Sequence, residues 1–130
     1  MRLDFVPPDQ VRQVWGYVKP KLEKILLKSP EFWIPEDVYA SLVSGKSVLW
    51  LAKREDTCVG FFIGYAVEDA FHIWCAYGVL DGEIKAWFSL LQDIAKNGGA
   101  NRITFDSWRP GWEKVAKNLG FKPRSWAMEI

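Results

Sequence analysis

Apolar residues in this chain recur with two periods, and the switches between them mark out the elements. From Asp9 onward, Val11, Val14, Trp15, Val18, Leu22, Ile25 and Leu26 return at three and four residues, the helical period. Pro20 lies inside this run and removes a backbone donor, so the pattern predicts a kink or two abutting helices. Lys19, Lys21, Lys24 and Lys28 occupy the other face, which reads as solvated. Ser29-Pro30 breaks the helix. Pro35-Glu36-Asp37 opens a second through Leu42, with Pro in the first turn and acids at the positive end of the dipole, and Gly45 ends it. Ahead of both helices, residues 2–6 predict a short strand stopped by Pro7-Pro8.

The period then changes. Residues 47–53, 57–67 and 70–77 predict three strands joined by the polar turns Arg54-Glu55-Asp56 and Glu68-Asp69, an antiparallel meander. Both faces of these strands are apolar, so helices must cover both. Residues 78–82 predict a loop. Residues 83–97 carry Ile84, Trp87, Phe88, Leu91, Ile94 and Ala95 on one helical stripe that Gly98-Gly99 stops. Asp81 reads as the N-cap of this helix. A strand over 100–106 after a crossover helix predicts a parallel pairing. A helix from Pro110 carries Trp112, Val115, Ala116 and Leu119 and ends at Gly120, and residues 122–130 predict a closing strand. Its terminal part would be a sheet edge through which a homodimer could form. The expected class is α/β of the mixed α+β kind, one domain over 1–130, with a mostly antiparallel sheet between helices.

A chain of 130 residues builds a core of this size without metal or disulfide staples. Its net charge of +1 supplies no field for nucleic acid or an anionic membrane, so neither partner is expected. Cys58, Cys75 and the single histidine His72 form no metal-ligand spacing, and two unpaired thiols suit a reducing compartment. With no run of ~18 apolar residues and no leader pattern, the expected location is the cytoplasm. Aromatic residues make up 15% of the chain, eight of them Trp. Most read as core, and some as groove or partner surface.

The element order resembles that of the GNAT (GCN5-related) N-acetyltransferase superfamily over nearly the whole chain. The likeness rests on strand 71–77, loop 78–82, the helix after it, and Leu119-Gly120-Phe121 before the closing strand. It implies acetyl-CoA as cofactor, with pantetheine in a gap beside the strand and pyrophosphate on loop amides at a helix N-terminus. The implied cofactor residues are Trp74, Ala76, Tyr77, Gly78, Val79 and Gly82. The implied mechanism is attack of a small amine or protein substrate on the thioester, helped by backbone donors along 74–77.

This chain departs from the family pattern in two places. Loop 78–82 has no basic or amide entry residue and carries Asp81 beside Glu83, where carboxylates would repel phosphate. The helix position of the family's tyrosine acid is Ala116, and that of its asparagine is near Arg109. Glu68, His72 and Tyr77 are the candidate catalytic groups, each with a plain structural role as the alternative. Residues 106–113, Asp-Ser-Trp-Arg-Pro-Gly-Trp-Glu, are similar to short GNAT-like proteins of bacteriophages and prophages. Trp108, Arg109 and Trp112 there are candidates for a protein partner's surface, should the fold serve a non-catalytic interaction or assembly role in a host cytoplasm. Packing of both tryptophans on the sheet, with Arg109 paired to Asp106, is the other reading.

Overall fold

Burial on two sides of one sheet organises the molecule. The computed structural model describes residues 1–29, 31–80, 82–107, 112–124 and 127–130. Strands β1 (Arg2–Val6), β2 (Val48–Arg54), β3 (Thr57–Val67), β4 (Ala70–Tyr77) and β5 (Arg102–Phe105) form a five-stranded sheet in sequence order. The first four are antiparallel neighbours, and β5 runs parallel to β4. Helices α1 (Val11–Lys28) and α2 (Pro35–Val43) lie on one face, packing Val18, Leu22, Val38 and Leu42 against Leu49, Phe61 and Ile63. Helix α3 (Ile84–Asn97) lies on the other, with Trp87, Phe88 and Leu91 against Phe62, Phe71 and Ile73. Helix α4 (Trp112–Asn118) is short and has no fully buried residue, although Leu119 and Phe121 after it join the α3 core. The architecture is the expected mixed α+β sheet with helices on both faces. No helix among the described residues is long and apolar enough to cross a membrane.

Three expectations change. Pro20 sits inside α1, which runs as one helix, so of the two expected outcomes the pair of abutting helices is excluded. The carbonyl that loses its donor belongs to Gly16, and the buried stripe of Val11, Val18 and Leu22 holds both halves to the same sheet. Among the described residues the closing strand does not form: residues 121–124 and 127–130 have no regular structure, and 125–126 lie outside them. Met128 and Ile130 are exposed, so no apolar burial offsets the entropy of ordering this segment. The position before α3 is held by Glu83, not Asp81, and makes no side-chain cap; Asp81 itself lies outside the described residues.

Two glycines fix the path out of β4. A Cβ on Gly60 would come within 2.1 Å of the Tyr77 carbonyl oxygen, and one on Gly78 within 2.0 Å of the Val59 carbonyl oxygen. Gly78 also has φ +73°, a left-handed backbone that side chains disfavour. The chain therefore leaves the sheet at Gly78 in direct backbone contact with β3.

Candidate functional site

Strands β4 and β5 stay paired only from Ala70↔Arg102 to Ile73↔Phe105. Beyond that point β4 continues to Tyr77 on β3 alone. The register of β3 against β4 jumps there: Ile63 faces Cys75 and Gly64 faces Ile73, so Trp74 is an extra residue, a β-bulge. A bulge leaves the ladder locally unpaired and turns the following side chains over. Phe71 and Ile73 belong to the α3 core, whereas Cys75 belongs to the α1–α2 core with Trp74 packed beside it. Gly64 makes the distortion possible, because a Cβ there would lie 2.4 Å from the His72 carbonyl oxygen and 2.5 Å from the Phe71 ring.

Between the parted strands lies a cleft of about 100 Å³. Its lining draws on both faces of the sheet. On the α1–α2 side it is bordered by Ser29, Glu31, Trp33, Trp74 and Asp106, and on the α3–α4 side by Leu80, Phe88, Phe105 and Trp112. His72 and Tyr65 do not line it but stand next to it, Tyr65 between the imidazole and Trp74. His72 Nδ1 is 2.8 Å from Thr104 Oγ1, its register partner on β5, and Nε2 is 3.7 Å from Asp106 Oδ2. The Tyr65 ring lies 5.2 Å from the imidazole and 6.1 Å from Trp74, and Trp33 meets Trp74 edge-on at 6.2 Å. Burial pushes the Cys75 thiol well above its ordinary pKa, and the nearby Glu31 carboxylate adds to the effect. That thiol is packing, not a nucleophile at neutral pH.

The residues singled out in the sequence separate on this map. Trp74 and Ala76 line the cleft. Tyr77 stacks on Phe61, centroids 6.0 Å apart, in the α1–α2 core. The side chain of Val79 is wholly buried in the α3 core, Gly78 is committed to its contact with β3, and Gly82 has φ +60° with open space around it. Glu68 lies in the turn at the opposite end of β4, with φ +56°, and Asp69 beside it pairs with Arg102. Trp112 lines the cleft, half-buried, and packs on Phe105, centroids 5.4 Å apart; Trp108 and Arg109 lie outside the described residues.

Sequence reasoning missed Glu31, Trp33 and the role of Thr104. No local pattern brings them to the cleft, although glycine inside β3 was a readable sign of a bulge. It also missed Arg54, which reaches from the end of β2 to pair with Glu83. The guanidinium holds the Glu83 carboxyl below the usual carboxylate range and offsets its charge beside loop 78–82. Among the described residues no three His, Cys, Asp or Glu side chains stand together as a metal site.

No family model and no curated protein matches the sequence. Solved structures do. The ribosomal-protein-alanine N-acetyltransferase of Brucella melitensis biovar Abortus 2308 aligns at TM-score 0.67 and 14% identity, covering 98% of this chain and 95% of that one. An aminoglycoside acetyltransferase from an uncultured soil metagenomic sample, in complex with sisomicin, aligns at TM-score 0.68 and 10% identity over 99% and 93%. The aminoglycoside N-acetyltransferase AAC(6')-Iy in complex with CoA aligns at TM-score 0.61 and 14% identity over 98% and 96%. At such identities the likeness is one of fold: this chain has the fold of the GNAT acetyltransferases from end to end.

Proposed function

We propose that this protein is an acyl-CoA-dependent N-acyltransferase that works in the cleft between β4 and β5. One observation carries the reading: β4 and β5 separate beyond Ile73/Phe105 while a bulge at Trp74 frees backbone groups along the opening. The residues there suit a thioester arm. The cleft is smaller than the roughly 300–1,000 Å³ of sites for drug-sized ligands, so it suits a slender chain. Its α3–α4 side is apolar, and the first amides of α3, which have no intrahelical acceptor, follow loop 78–82. The Arg54–Glu83 pair removes part of the repulsion that two carboxylates would exert on phosphate. Trp74, Ala76 and the loop would hold the arm. Bound there, the thioester supplies an acyl group to an amine: a C–N bond forms, the C–S bond breaks and a thiol leaves.

The chain's own part is orientation and proton handling. With Nδ1–H donated to Thr104 Oγ1, His72 Nε2 is free to accept the proton the amine loses. Asp106, 3.7 Å from Nε2, stabilises the imidazolium that results. Ala116 provides no acid for the leaving thiolate, so turnover rests on positioning and is slow.

Thermal unfolding with acetyl-CoA is the test. Saturation at about 100 times Kd should stabilise the protein by about 2.7 kcal/mol. No shift at millimolar acetyl-CoA overturns the reading and favours an interaction protein that keeps the fold.

A further inference from the structure

Strand β1 ends the sheet, and among the described residues no strand lies on its outer side. Backbone groups along such an edge are a template for a further strand. We propose that the further strand is β1 of a second copy of this chain, paired antiparallel about a twofold axis at Leu3. The side chains of β1 suit that partner. Residues opposite one another in a ladder share a face of the sheet. Leu3 and Phe5 stand opposite Ala52 and Trp50, of the α3 core, whereas Asp4 and Val6 stand opposite Leu51 and Leu49, of the α1–α2 core. Phe5 remains 51% exposed although its ring lies 6.0 Å from Trp50, and Met1, which continues the same period, is 45% exposed. An apolar row thus stands partly in water on the one face, with Arg2 and Asp4 on the other.

Charge selects the register. A twofold axis normal to the sheet keeps each face continuous and passes through one residue. Centred on Arg2 it sets Arg2 against itself, and centred on Asp4 it sets Asp4 against itself; like charges directly opposite are destabilising. Centred on Leu3 it sets Arg2 against the partner's Asp4, Leu3 against the partner's Leu3, and Met1 against the partner's Phe5. Arg2 already holds Asp4 of its own copy at 2.9 Å, both half-exposed, so the pairing builds a row of alternating charge. Pro7 and Pro8 fall beyond the paired residues, so their missing donors cost the ladder nothing. The contact is isologous and closes, whereas β1 on a partner's β5 would leave an open chain of copies. Phe105 of β5 is also packed against Trp112 and Phe121, which the rings of β1 have no counterpart to. The cleft between β4 and β5 lies across the sheet from β1, so this inference does not depend on the acyltransferase reading. One short strand a side is small for an interface, so the dimer dissociates on dilution.

Analytical ultracentrifugation of the full chain, from micromolar to millimolar protein, tests this directly. The expected result is a reversible monomer–dimer equilibrium. Asp4→Arg and Arg2→Asp each place like charges opposite one another, so each variant alone should dimerise roughly tenfold more weakly than wild type. Mixed in equal amounts, the two variants should recover the wild-type dimer, because each copy then offers the charge the other lacks. Both should keep the wild-type circular dichroism spectrum. If either loses it, Phe5→Thr takes its place and should weaken the dimer, since Thr keeps the strand and removes the ring that covers the partner's Met1. A wild-type protein that stays monomeric at millimolar concentration overturns the inference. So does a dimer that these substitutions leave unchanged, or a mixture of the charge variants that associates no better than either alone.

Discussion

His72 meets two oxygens of unlike character: a hydroxyl that can donate or accept at one ring nitrogen, and a carboxylate that only accepts near the other. The hydroxyl suits either tautomer, and the base role requires the one with Nδ1–H donated to Thr104 Oγ1 and Nε2 bare. His72→Asn should therefore lower acyl transfer by roughly 10²–10⁴ while leaving acetyl-CoA affinity unchanged, as steady-state rates and a thermal-shift titration would show. A parallel loss of affinity would mean that the imidazole shapes the cleft instead. Elsewhere, Arg102 holds the Asp69 carboxyl below its usual range through hydrogen bonds to Oδ1, from Nε at 3.0 Å and from the terminal nitrogen at 2.5 Å. A depressed folded-state pKa contributes stability that is present above the unfolded carboxyl value of about 3.9 and is lost as pH falls through the folded value. Asp69→Asn should flatten the acid limb of the melting temperature below about pH 4 and lower it at pH 7 by the same amount, a small one since the pair is exposed and screened. A slope equal to wild type would show the pair to be inert. The turn Glu68-Asp69 was legible from composition, whereas the hydrogen bond from Asn101 N to Asp69 O at 2.7 Å, which ties that turn to β5, was not. Residues 69 and 101 become neighbours only once α3 has crossed the sheet.

Among the elements, α3 is the one the sequence states most clearly. Its six-residue stripe keeps the helical period, and four of those residues are buried. Trp87 is buried to within 1%, and Trp87→Ala should cost about 3–5 kcal/mol in denaturant unfolding; a loss under 1 kcal/mol would mean that the neighbours close over the gap. Strand β4 is the opposite case. Its mixed alternation suggested two apolar faces, and both faces are covered, but the cause is partly the bulge. Residues on either side of Trp74 follow opposite phases, so a strand of period two reads as unpatterned. Gly64→Ala should remove the bulge or break the pairing, since its Cβ would meet backbone at 2.4 Å. The result expected is loss of acetyl-CoA binding together with a lower melting temperature; retention of both would mean that β3 can shift aside.

At the scale of the whole molecule, two cores share one sheet. The α1–α2 core and the α3 core both press on β2, β3 and β4. Neither layer keeps its buried surface without the sheet, and the sheet without either layer exposes apolar side chains. Unfolding should be one cooperative transition, with circular dichroism and tryptophan fluorescence giving coincident midpoints. Separate midpoints would show one helical layer leaving first. This two-sided burial was legible early because it follows from composition strand by strand. The cleft was not, because it exists where pairing stops, and the end of a ladder depends on two strands separated by a helix. The closing strand was misread for a related reason: residues 122–130 have strand-like apolar content, yet Met128 and Ile130 find nothing to cover them.

The contact of Gly60 with Gly78 bears on how such a protein can diversify. Backbone touches backbone there, and the left-handed turn at Gly78 sets the direction in which the chain departs. The departure point is thus independent of what the loop beyond it contains. Position 82 has open space around it but a left-handed backbone, φ +60°, that suits Gly, Asn or Asp, whereas positions 60 and 78 admit no side chain at all. The doorpost does not move, and a saturation library of this region should return Asn and Asp beside Gly at position 82 and Gly alone at positions 60 and 78.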